Sequence, residues 1–214
     1  MNLIPLIRCQ LNRRKGLTFV ELLVALSVSA IILAAVATLA YAMATANSTA
    51  DDTSQKQAQV RYATLRISEL IRNSKLIFGG TTEGLGIWRA DNNGNGQVDA
   101  NEVVFLSKGS GSSCLRFIEF SGASLPGSTD LTAIIPYLFS AVPNCTYTNL
   151  IPQCSNVQFV TDVSPPWTRS VSVFFDLQED GITHRYQIKA TLRAWAGHLL
   201  NQAGLLISGD DDEN

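Results

Sequence analysis

Two places in the sequence set chemically capable side chains at informative spacing. The first is Asp91-Asn92-Asn93-Gly94-Asn95-Gly96-Gln97-Val98-Asp99-Ala100-Asn101-Glu102, which fits the calcium-loop pattern D-x-[DN]-x-[DN]-G-x5-E at every defined position. Calcium is a hard cation that takes oxygen ligands in flexible geometry, and this spacing can wrap oxygens around one point. Asp91, Asn93 and Asn95 would give side-chain oxygens, Gln97 a backbone carbonyl, Asp99 a direct or water-borne contact, and Glu102 a bidentate carboxylate. Gly96 would permit the sharp turn and Val98 would point back into the domain. The same residues also read as plain turn chemistry. Asn93-Gly94 and Asn95-Gly96 are hairpin dipeptides, and the flanks look like strands, not the helices of an EF-hand. Three carboxylates predict a weak, structural Ca²⁺ site, with a Kd of about 10⁻⁴–10⁻³ M.

The second place is a single carboxylate, Glu21, at the head of an apolar run. No charged residue occurs between positions 22 and 46. About 25 helical residues at roughly 1.5 Å each can cross a hydrocarbon core of about 30 Å with some tilt. A carboxylate inside hydrocarbon costs a few kcal/mol on insertion scales and persists there with a partner or a function. The milder alternative places Glu21 near the interface, one turn from the helix start, where the helix dipole favours it.

Other reactive groups form no set that persuades. The sequence contains no GxSxG, HExxH or GxxxxGK[ST] pattern. Asp176, Glu179 and Asp180 near His184 read as turn composition, and Trp88, Trp167 and Trp195 as core or rim packing. Of four cysteines, Cys9 lies in the basic N-terminal stretch and no pair has CxxC spacing, which disfavours a zinc site. Cys145 and Cys154 bracket an expected loop marked by Asn144, Asn149 and Pro152, which suits a disulfide in an oxidising compartment, and free thiols are the alternative. No enzyme is expected.

The residues around Glu21 carry a resemblance. Gly16-Leu17-Thr18-Phe19-Val20-Glu21, preceded by Arg13-Arg14-Lys15 and followed by LLVALSVSAIILAAVA, resembles the processing site of type IV prepilins and type II secretion pseudopilins. Leu17 stands where phenylalanine or methionine is more usual. The resemblance implies that a prepilin peptidase cuts between Gly16 and Leu17 at the cytoplasmic membrane face and that the new Leu17 amine is N-methylated. It implies a non-enzymatic subunit of a pilus or pseudopilus, with a J-type or W-type minor component favoured. Its partners would be other pilin subunits, the inner-membrane assembly platform and membrane lipid. Glu21 would pair with the Leu17 amine of an adjacent subunit and set axial register, since a mis-stacked helix leaves a charge buried and unpaired. A membrane-tethered calcium-binding domain that never polymerises is the competing reading.

These sites need elements to hold them. The basic residues Arg8, Arg13, Arg14 and Lys15 keep their end in the cytoplasm and send the rest outward across the inner membrane. Small residues (Ala25, Ser27, Ser29, Ala30, Ala34, Ala35, Ala37, Ala40) permit close helix packing. Val60, Ala63, Thr64, Ile67, Leu70 and Ile71 keep helical spacing, which predicts one helix over 17–75 with Leu65, Ile67, Leu70 and Ile71 inward, ended by Gly79-Gly80. Strand periodicity follows at 85–90, 103–107, 114–120, 157–161, 170–177 and 184–195, with a hairpin turn at 178–181 and a long insertion over 121–156. The expected class is α+β, a long N-terminal helix on an antiparallel sheet. The parts are a leader (1–16), a transmembrane and assembly helix (17–46), its continuation (47–78), a β-rich domain (79–207) and a disordered acidic tail (208–214).

Charge fits this plan. The chain of 214 residues has 16 basic and 18 acidic side chains. Without residues 1–16, which hold four basic and no acidic groups, twelve basic face 18 acidic ones, a net −6. An acidic product argues against binding nucleic acid through a broad basic surface.

Overall fold

The computed structural model describes residues 16–81, 84–109, 114–121 and 145–208. The leader before Gly16, most of the expected insertion (122–144) and the acidic tail from 209 onward lie outside the described residues.

One helix, α1 (Phe19–Asn73), runs for 55 residues. Spatial contacts divide the chain into two compact units, one ending at Ala50 and the other beginning at Asp51. In the first unit every described residue is exposed. Three hydroxyls inside that apolar stretch bond to their own helix: Ser27 Oγ donates to Leu23 O at 2.8 Å, Thr38 Oγ1 to Ala35 O at 2.8 Å and Thr45 Oγ1 to Ala42 O at 2.9 Å. Such back-bonding satisfies a hydroxyl without a partner outside the helix, which hydrocarbon requires.

The second unit holds eight strands in two antiparallel sheets. β1 (Leu76–Thr81), β2 (Gly84–Trp88), β3 (Val103–Lys108), β4 (Leu115–Phe120) and β5 (Cys145–Ile151) form one sheet in sequential order. β6 (Ser155–Thr161), β7 (Ser170–Glu179) and β8 (Ile182–Thr191) form the other. The α+β class is therefore observed. The β7–β8 hairpin turns at Asp180-Gly181, both with positive φ (51° and 76°), between the paired Glu179 and Ile182. That is a type I′ turn, whose twist matches its strands.

The C-terminal half of α1 presents Ala63, Ile67 and Ile71, spaced four apart and fully buried, to residues of both sheets. Leu65, expected inward, is 64 % exposed; it lies two residues from Ala63 and Ile67, on another side of the helix. Nor do Gly79-Gly80 end the helix. It stops at Asn73, where the Ser74 hydroxyl donates to Ile71 O at 2.8 Å, and β1 then begins at Leu76.

The five-stranded sheet carries apolar clusters on both faces, and its strands β2 and β3 are almost wholly buried. Ile77, Leu85, Ile87, Val104, Leu106, Leu115 and Phe117 face the α1 side. Leu76, Phe78, Trp88, Val103, Phe105, Ile118 and Phe120 face a second cluster, covered by Val98, Ala100, Leu199, Leu200 and Leu206. This explains why β2 and β3 read as near-continuous apolar runs. Gly86, opposite Phe78, is required by closeness: a Cβ there would lie 2.9 Å from Phe78 O and 2.8 Å from its ring.

Two further expectations are corrected. Residues 145–151 and 155–161 are strands β5 and β6, so the insertion over 121–156 ends at 144 at the latest. Cys145 and Cys154 do not bracket a loop and are free thiols. Cys145 opens β5 opposite Phe120, whereas Cys154 lies past the other end, its Sγ 3.9 Å from Ile151 O. The strand between them spans about 20 Å at roughly 3.3 Å per residue. A disulfide tolerates at most about 7 Å between Cα atoms.

Candidate functional sites: the helix head and the acidic loop

Gly16 and Leu17 precede α1, both exposed. A Cβ on Gly16 would meet nothing within 4 Å, and its φ lies outside the left-handed range. Among the described residues, then, neither packing nor backbone conformation demands glycine at this position.

Thr18 and Glu21 make a reciprocal cap at the head of the helix. Glu21 Oε2 accepts from the Thr18 backbone N–H at 2.8 Å and from the Thr18 hydroxyl at 2.9 Å, and Glu21 N–H donates to Thr18 Oγ1 at 3.3 Å. This capping box satisfies donors that a helix start leaves without intrahelical partners. Its sequence signal is Thr-x-x-Glu, masked because a lone carboxylate in an apolar run invites weighing against the membrane and the dipole alone. Beyond it, large apolar side chains such as Phe19 (75 %), Ile31 (70 %) and Leu33 (68 %) are exposed. The helix is long and apolar enough to cross a membrane.

The acidic loop folds around two carboxylates. Asp91 Oδ2 accepts from Gly96 N–H at 2.7 Å and Oδ1 from Asn95 N–H at 3.2 Å. Asn93 Oδ1 accepts from Asn95 N–H (3.0 Å) and Asn95 Oδ1 from Gln97 N–H (2.8 Å), two successive Asx turns. Both Asn side chains donate to Asp99 Oδ2, at 2.6 and 3.0 Å. Gly94 and Gly96 have φ of 64° and 70°, the left-handed region that glycine enters at least cost. Val98 is buried in the second core cluster, which anchors the loop to the sheet.

Asp99 is 6 % exposed, and its Oδ1 is buried without a hydrogen-bond partner. An orphaned carboxylate oxygen inside a loop of amide and carboxylate oxygens is what a hard cation would complete. Asp91, Asn93, Asn95 and Asp99 are the oxygen-bearing side chains that would hold such an ion, and the Asp91, Asn93 and Asn95 oxygens already accept backbone N–H groups of the loop. Glu102 is arranged differently. It is fully buried, with Oε1 accepting from Asn92 N–H at 2.7 Å and Oε2 from Asp99 N–H at 3.3 Å and Trp88 Nε1–H at 3.4 Å. Here it staples both ends of the loop to the core. Gln97 is exposed, and among the described residues no three His, Cys, Asp or Glu side chains are grouped to hold a metal.

Residues 11–37 match the family model of the prokaryotic N-terminal methylation motif. The match covers Gly16, Leu17 and Glu21 and runs into the exposed apolar helix, so the likeness is confined to the N-terminal segment. No curated protein and no solved structure matched the chain.

Proposed function

We propose that the protein is a minor pilin or pseudopilin, a structural subunit of a type IV pilus-like fibre or type II secretion pseudopilus. The carrying observation is the methylation motif placed on a capped helix head that leads into an exposed apolar segment. In this reading a prepilin peptidase cuts between Gly16 and Leu17, and the freedom from steric demand at Gly16 supports a recognition role for that glycine. Cutting leaves a cationic amine on Leu17, about one helical turn before the Glu21 carboxylate.

In the fibre Glu21 pairs with the Leu17 amine of an adjacent subunit and sets axial register, because a mis-stacked helix would leave that carboxylate buried and unpaired. The basic residues before Gly16 keep the N-terminus cytoplasmic, and the β-rich unit lies outside the inner membrane. A J-type or W-type minor role is favoured by the 23.2 kDa size and the long segment between β4 and β5. The test is mass spectrometry of membrane-extracted protein from cells that contain the peptidase. An N-methylated Leu17 terminus is expected, and a chain still beginning at Met1 would overturn the reading.

A second reading concerns the loop alone and rests on the orphaned Asp99 Oδ1. A weak structural Ca²⁺ site is formed by Asp91, Asn93, Asn95 and Asp99, with Glu102 as a buried staple. Calorimetry at millimolar Ca²⁺ tests it, and no heat with the intact protein would remove it.

A further inference from the structure

Cys114 and Cys154 flank the same end of the β4–β5 pair, one just before β4 and the other just after β5. Cys114 immediately precedes Leu115, and Leu115 is paired with Ile151. Cys154 Sγ lies 3.9 Å from Ile151 O, the strand partner of Leu115. Leu115, Ile151 and Cys154 belong to one core cluster. Cys114 is half-buried over Gly109, where an added Cβ would collide with its Sγ, and Cys114 O accepts from Gly109 N–H at 2.8 Å.

We propose that Cys114 and Cys154 are an oxidisable pair that closes into a disulfide, tying the start of β4 to the β5–β6 turn. This rests on the reading that the β-rich unit lies outside the cytoplasm, where disulfides persist. The oxidant is a disulfide donor, either glutathione disulfide or an oxidised dithiol oxidoreductase. Cys114 is the more accessible thiol. As thiolate it attacks the donor, forming a mixed disulfide and releasing one donor thiol. Cys154 then loses its proton and attacks the Cys114 sulfur, releasing the second donor thiol. Two cysteine thiols have lost two electrons and two protons, and the donor disulfide has gained them. Burial, and then the neighbouring Cys114, push the Cys154 thiol up to about 12, so the closing step is the slow one at neutral pH and quickens as pH rises.

The experiment uses full-length protein in detergent, equilibrated with a glutathione redox buffer, blocked with N-ethylmaleimide and digested without reductant. The expected product is a linked peptide pair carrying Cys114 and Cys154, with Cys145 alkylated. Cys145→Ser should still give that pair and Cys114→Ser should abolish it, with circular dichroism confirming that each variant is folded. Alkylation of both Cys114 and Cys154 after oxidation, or a linkage through Cys145, overturns the proposal. Thiols trapped at the moment of cell lysis test the location separately. A pair closed by glutathione but reduced in cells upholds the pairing and overturns the extracytoplasmic placement.

Discussion

Thr18 and Glu21 hold each other at the head of α1, with Glu21 Oε2 taking both the backbone N–H and the hydroxyl of Thr18. The carboxylate thus has a local task besides the intersubunit one proposed for it. The two tasks separate by mutation. Thr18→Ala removes the cap and costs about 1 kcal/mol of helix-start stability. Glu21→Ala removes the cap and the charge. If register is the carboxylate's main task, fibre incorporation survives Thr18→Ala and collapses in Glu21→Ala, while cleavage after Gly16 persists in both. Quantitative immunoblotting of sheared fibres reads this. Equal loss in both variants would assign the effect to capping.

The loop makes an analogous separation between Asp99 and Glu102. Asp99 has an unpartnered oxygen, whereas both Glu102 oxygens are engaged. Millimolar Ca²⁺ should raise the melting temperature of the intact protein, and Asp99→Asn should erase that rise while changing the melt in chelator little. Glu102→Ala should behave in the opposite way. It strands the Asn92 and Asp99 N–H groups and the Trp88 indole, at about 1–3 kcal/mol for each group left buried. Its melt should therefore fall with or without calcium. Thermal scans in Ca²⁺ and in chelator check both.

Legibility in the sequence followed the physics of each part. The apolar rod is plain because an uncharged run from 22 to 46 admits few alternatives, and β7 because Val171, Val173 and Phe175 alternate with Ser172 and Phe174. β1 is hidden because Gly79-Gly80 looks like a helix stop. Gly79 instead takes a positive φ of 56° in the strand, where the β1–β2 register shifts. β5 is hidden because its side chains are mostly exposed: Thr146, Tyr147, Thr148 and Asn149 lie on the surface and leave no apolar stripe. The loop's anchor at Val98 is legible from its place in the pattern. The inward turn of Glu102 is not, since it depends on Trp88, fourteen positions earlier.

Tyr186 and Glu179 give a pH dependence. The Tyr186 hydroxyl donates to Glu179 Oε1 at 2.6 Å, and Glu179 is 6 % exposed. That bond, reinforced by burial, raises the phenol to about 12 from 10.0. A raised folded-state value means that the contribution is complete below the unfolded value of 10.0 and is lost as pH climbs through about 12. Tyr186→Phe should cost about 1–3 kcal/mol at neutral pH by stranding Glu179. The gap from the parent protein should narrow across that alkaline window. Urea unfolding of both proteins through the window measures it, and a gap independent of pH would show that the phenol does not titrate against Glu179.

Closing Cys114 to Cys154 should change stability by an amount set mainly by the loop it pins. A closed loop of roughly 40 residues restricts the unfolded chain by about 4 kcal/mol on the chain-entropy account. For a domain of this size that corresponds to a melting temperature about 10 °C higher. Reductant should lower the melt of the oxidised protein by that order and leave Cys114→Ser unmoved. The reduced protein carries a further signature. Its Cys154 thiol, raised from 9.0 to about 12 by burial, supports folding fully below 9.0 and loses that support as pH rises through about 12. The oxidised protein has no such thiol to titrate. Alkaline melts should therefore separate the two forms further than neutral ones, and a constant separation would count against Cys154 as a member of the pair.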